Sequence, residues 1–116
     1  MSDLNKKLET LSLQFSNHQQ SLNDLISSRS TLETQLQENK IVEQEFTQLS
    51  ESDKIYKLTG PILLPQDYSE ASMNVNKRIE FIQGEIERVE NKIGVEESEM
   101  EKIRGELIAL RTQAQG

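Results

Sequence analysis

Apolar residues return along this chain in steps of three and four, in two long runs. The first run is Leu4, Leu8, Leu11, Phe15, Leu22, Leu25, Leu32, Leu36 and Phe46, with His18, Arg29, Asn39 and Glu43 at the intervening steps. The second is Val75, Ile79, Ile82, Ile86, Val89, Ile93, Met100, Ile103, Leu107, Leu110 and Ala114, interrupted by Glu96. A repeat of ~3.5 residues draws one apolar stripe along a helix, and another helix must cover that stripe. Residues 4–50 are therefore predicted as a first coiled-coil helix. They contain neither glycine nor proline, so nothing punctuates them. At ~1.5 Å per residue this helix would reach roughly 70 Å, with no core to shelter in except another helix.

Residues 68–114 are predicted as the second coiled-coil helix. Asp67-Tyr68-Ser69-Glu70 has the form of a capping box, an acceptor at the N-cap with a glutamate three residues on. Gly84, Gly94 and Gly105 fall inside this helix, each costing ~1 kcal/mol relative to alanine. By heptad count Gly84 and Gly105 lie on the outer face and Gly94 flanks the seam. A short link makes an antiparallel αα-hairpin cheap in loop entropy. In the register that sets Phe46 opposite Val75, Leu11 faces Leu110, Phe15 lies near Leu107, and Arg29 neighbours Glu96.

Between the helices the pattern breaks, at Leu49–Ser52. Residues 54–65 turn to β-branched and apolar types around Gly60-Pro61. Ile55–Thr59 and Ile62–Leu64 are predicted as two short strands with a tight turn. Pro61 and Pro65 donate no backbone hydrogen bond, so they belong at strand ends or an edge. The expected fold is mainly α: a single domain over 1–116, a long antiparallel coiled-coil hairpin with a central two-stranded β-hairpin. An isolated hairpin is marginal in water and leaves two open edges. Its apolar residues Ile55, Tyr56, Leu58, Ile62, Leu63 and Leu64, with Gly60 and Pro61 at the turn, are thus candidates for an oligomer interface. Hairpins from several chains could close into an intersubunit β-barrel.

Composition narrows the function. Of 116 residues 28% are charged and only 4% aromatic, with no tryptophan, which suits solvated helices rather than a large globular core. The net charge of −7 argues against nucleic acid and against an anionic membrane surface. Without cysteine there is no disulfide and no thiolate metal site, which fits a reducing compartment. The opening MSDLNKKLET carries no apolar signal segment, and no apolar run approaches the ~20 residues of a membrane span. The expectation is a soluble cytoplasmic protein, with the nucleus left open.

Catalytic chemistry finds no foothold, and an enzyme is not expected. His18 occupies a seam position and has no metal-ligating neighbour one turn away, so packing explains it better than ligation. Glu96-Glu97-Ser98-Glu99-Met100-Glu101 reads as a solvated helix face, because no loop folds its carboxylates around one point. Asn39 in the seam suits fixing register. Gly60-Pro61 lacks the spacing of a phosphate loop. Neither a metal nor another cofactor is expected.

The end that carries both termini offers binding chemistry instead. Its seam holds Leu4, Leu8, Leu11, Phe15, Leu107 and Leu110, and Leu13 and Ile108 lie off the seam. Helix ends fray, because their last backbone groups lack intrahelical partners. A frayed coiled-coil end half-exposes its seam to apolar partners. Simple packing accounts for the same residues, since a leucine in a helix seam commonly does nothing else.

The stretch Ile55-Tyr56-Lys57-Leu58-Thr59-Gly60-Pro61-Ile62-Leu63-Leu64, then Gln66-Asp67 and Asn76-Lys77-Arg78-Ile79-Glu80-Phe81-Ile82, resembles the signature of β-type prefoldin subunits. The likeness spans nearly the whole chain as helix, hairpin, helix. It implies one subunit of a heterohexameric, ATP-independent co-chaperone that uses neither metal nor other cofactor. The implied partners are other prefoldin subunits of α and β type, joined through the hairpins into a β-barrel body. Coiled-coil tips would capture unfolded polypeptides such as actin and tubulin and deliver them to the cytosolic chaperonin. The tip leucines with Phe15 and Ile108 then become client-binding candidates. The competing reading is a structural tether that spaces partners and binds no client. A spacer, however, needs no strand-forming insert at its middle.

Overall fold

A computed structural model of the chain describes residues 2–56 and 65–115. Two helices account for them: α1 (Ser2–Tyr56) and α2 (Pro65–Gln115). The chain divides into two compact units, each pairing a segment of α1 with a segment of α2. The central unit is Ser30–Glu87, and the terminal unit is Met1–Arg29 with Arg88–Gly116.

Both helices run further than the seam pattern suggested. The apolar steps of α1 stop near residue 50, yet the backbone stays helical to Tyr56. Residues 47–56 hold no glycine or proline, and losing an apolar stripe does not break the i→i−4 hydrogen-bond ladder. Ile55 and Tyr56 are therefore helical rather than the start of a strand. At the other side α2 opens at Pro65, ahead of the expected cap at Asp67. Proline suits a first helical turn, where its missing N–H has no partner to lose. The turn at Gly60-Pro61 and the interface candidates Leu58, Gly60, Pro61, Ile62, Leu63 and Leu64 lie outside the described residues.

In the central unit Leu36 is buried together with Val75, Ile79, Ile82 and Ile86, and Leu32 and Phe46 pack partly buried against them. All seven are seam positions, so the 3–4 pattern chose the core. Burying each such side chain is worth about 1.5–3 kcal/mol. The antiparallel sense follows from chain reach. Residues 57–64 span at most about 30 Å fully stretched. Running back past residues 30–56 to start a parallel helix would take about 40 Å. Off the seam, Ile41, Val42, Met73 and Phe81 are exposed. Asn39, expected to fix register across the seam, instead donates its side-chain N–H to Gln35 O at 2.7 Å in its own helix.

In the terminal unit Val89 and Ile103 are buried. The other seam positions are half-buried, Ala114 excepted, which is exposed. Polar contacts also cross between the helices. His18 Nδ1 meets Glu96 Oε2 at 2.5 Å, and Arg29 donates through Nε (3.1 Å) and Nη2 (2.8 Å) to Glu90 Oε1. Partner numbers fall on α2 as they rise on α1, so these helices too are antiparallel. The expected neighbours Arg29 and Glu96 do not meet. Glu90 lies nearer the level of Arg29, and six residues of helix, about 9 Å, separate it from Glu96. Gly94, expected beside the seam, is exposed, and a Cβ built there or at Gly105 meets nothing within 4 Å.

Candidate functional site

Near the chain ends the terminal unit carries an open groove of about 710 Å³. Lys6, Lys7, Thr10, Leu11 and Gln14 of α1 form one wall, and Glu106, Ala109 and Leu110 of α2 form the other. Heptad spacing explains the construction. Leu11 and Leu110 are seam residues, and Lys7, Gln14 and Glu106 sit immediately beside the seam on the same side. Thr10 and Ala109 come next outward. Both are short, and their small bulk leaves the seam leucines only half-buried between the helices. The Thr10 hydroxyl is already spent, donating to Lys6 O at 2.8 Å. The longer side chains add aliphatic stems to the walls and leave their polar heads in water.

Of the tip residues singled out by sequence, the groove brings Leu11 and Leu110 together. Leu4, Leu8, Phe15 and Leu107 are half-buried seam residues outside its walls. Leu13 and Ile108 are exposed, at 62% and 54% of their surface, and likewise stand apart from it. The apolar pattern does not single out the polar and small wall residues. Their signal lies elsewhere in the heptad: two short side chains beside the seam at levels that face each other across an antiparallel pair.

A second groove of about 500 Å³ lies further along, lined by Ser21, Asp24, Leu25, Asn91, Lys92, Val95 and Glu96, with Glu96 in place of a second seam leucine. Glu96 is shared between this groove and the contact to His18, with side-chain exposures of 21% and 32%. That contact lets two polar groups occupy a seam that would otherwise leave each partly desolvated and alone. Arg29 and Glu90 are more exposed, at 40% and 50%. Among the described residues no group of three or more His, Cys, Asp or Glu side chains could hold a metal ion. Nor is any described helix long and apolar enough to cross a membrane.

Helices packed through heptad seams, with a shallow apolar groove between Leu11 and Leu110, define a coiled-coil protein. The chain belongs to the prefoldin family: residues 2–114 match the family model described as prefoldin subunit. It is 50% identical to prefoldin subunit 6 of Saccharomyces cerevisiae over 114 residues, covering 98% of this chain and 94% of that one. Identity to prefoldin subunit 6 of Bos taurus is 36% over 112 residues, 97% of this chain and 87% of the relative. With prefoldin subunit 6 of Arabidopsis thaliana it is 38% over 88 residues, 76% and 68% of the two chains. The IYKLTGPILL and NKRIEFI stretches point to the same subunit. No solved structure matches the chain.

Proposed function

We propose that this chain is a β-type subunit of a heterohexameric, ATP-independent co-chaperone, and that it holds unfolded polypeptides at the end of its terminal unit. The groove between Leu11 and Leu110 carries the reading. It is open, and its floor is apolar, formed by two half-buried leucines. Such a surface gives weak attachment to any exposed apolar stretch. Several subunits around one cavity add through avidity, so each contact stays weak enough to release. Leu4, Leu8, Phe15 and Leu107 become available as the helix ends fray, and Leu13 and Ile108 are exposed already. Residues 54–65 join the sister prefoldin subunits, and the clients are of the actin and tubulin class, passed on to the cytosolic chaperonin in the cytoplasm.

Truncation tests the reading. Removing residues 1–12 and 106–116 should leave the subunit in its assembly, as seen by native mass measurement. It should abolish the assembly's suppression of aggregation of a denatured client to the extent that this subunit contributes. Unchanged suppression by the intact truncated assembly would reject a client role for this end of the chain.

A further inference from the structure

The groove near the chain ends is not electrostatically neutral. Lys6 and Lys7 both stand on the α1 wall, in a chain whose net charge is −7. Among the described residues neither lysine has an ion-pair partner, and neither does Glu106 on the opposite wall. Two free ammonium groups thus border the apolar floor on one side and a single free carboxylate on the other. A ligand carrying acid on one flank can pair with the lysines while its apolar side chain rests between Leu11 and Leu110. Acid on the other flank would meet Glu106. A ligand carrying lysine or arginine meets two like charges for one opposite.

We propose that this groove selects extended segments of unfolded polypeptide in which an apolar residue is flanked by aspartate or glutamate. Leu11 and Leu110 take the apolar side chain, Lys6 and Lys7 take the acidic flank, and Glu106 sets which way the segment lies. The proposal rests on the client-holding reading of the same groove and adds a selectivity to it. Both lysines are exposed, so each contributes a modest factor, about threefold, and that factor is screened by salt.

Three labelled peptides test it against the chain assembled with its sister prefoldin subunits. They share a core of leucines flanked by glutamates, by serines or by lysines, and binding is read by fluorescence anisotropy. The glutamate-flanked peptide should bind about tenfold tighter than the lysine-flanked one at low salt, and the ratio should shrink towards one near 1 M salt, where the screening length is about 3 Å. Sister subunits contribute equally to every measurement, so the change on substitution belongs to this chain. Lys6→Glu with Lys7→Glu should reduce or reverse the preference, and Lys6→Gln with Lys7→Gln should fall between. A ratio that neither substitution moves overturns the selectivity. Leu11→Ser with Leu110→Ser should weaken all three peptides alike. If it weakens none of them, the groove does not hold clients and the underlying reading fails; if it weakens all three while the charge variants change nothing, only the selectivity fails.

Discussion

The two units of this molecule use the same heptad pattern to different ends. In the central unit α2 presents an unbroken aliphatic face, Val75, Ile79, Ile82 and Ile86, buried with Leu36, while the polar seam residues of α1 stay on their own helix, Asn39 bonded to Gln35 O and Glu43 exposed. In the terminal unit buried aliphatic positions are sparse, Val89 and Ile103, and polar residues enter the interface through His18–Glu96 and Arg29–Glu90. A continuous apolar seam gives strength with little preference for register. A seam interrupted by paired polar groups gives register at a cost in strength. The terminal unit also carries both grooves, and in the one near the chain ends short side chains beside the seam leave two leucines partly uncovered. Open grooves and weaker packing thus go together, and local opening should begin in the terminal unit.

The sharpest way to break this contrast is to remove buried volume on each side of it. Ile82→Ala leaves a cavity in the central cluster and should cost about 2–4 kcal/mol in urea unfolding. Leu11→Ala, in a half-exposed groove, should cost about 1 kcal/mol or less, since water already reaches the site. Equal costs would show that the two seams carry the same load.

A smaller effect, of opposite sign, sharpens it. Gly94→Ala together with Gly105→Ala should stabilise the terminal unit by about 1–2 kcal/mol, because the helix gains propensity and the added methyl groups meet nothing. Amide hydrogen exchange should slow in residues 88–115 more than in residues 30–87. Uniform slowing, or none, would mean that the terminal unit does not open by itself.

The smallest effects separate the two polar contacts. A double-mutant cycle on His18 and Glu96 should give a coupling of about 1 kcal/mol, since both groups are partly buried. Arg29 and Glu90, more exposed, should couple by less than about 0.5 kcal/mol, and that coupling should fade near 1 M salt. A larger coupling for Arg29 and Glu90 would place the register-setting contact at the wrong pair.

Much of the fold is legible in the order of residues. Each residue of the central cluster is a seam position by spacing alone, as are the half-buried Leu11 and Leu110 of the groove. Helix ends are less legible, because the rule that ends a stripe differs from the rule that ends a helix. Ile55 and Tyr56 look like strand residues by type, yet they follow a stretch free of glycine and proline and stay in α1. Register is legible only to within about two turns. The polar seam residues His18, Arg29 and Glu96 need partners by their chemistry, but counting heptads sets Arg29 beside Glu96, whereas Glu90 takes Arg29 and His18 takes Glu96.

Family, helical class and the faces that meet were all determined by the sequence, because a period of 3.5 is a local property that every turn of helix repeats. Which residue of α2 stands beside which residue of α1 was decided by tertiary structure. Long side chains such as Arg29 and Glu96 can each reach several levels of the opposing helix, and the winner depends on distances across the interface that no spacing along one chain records. The groove has the same origin. Thr10 and Ala109 are unremarkable singly, and they open a groove only because packing brings both to its walls.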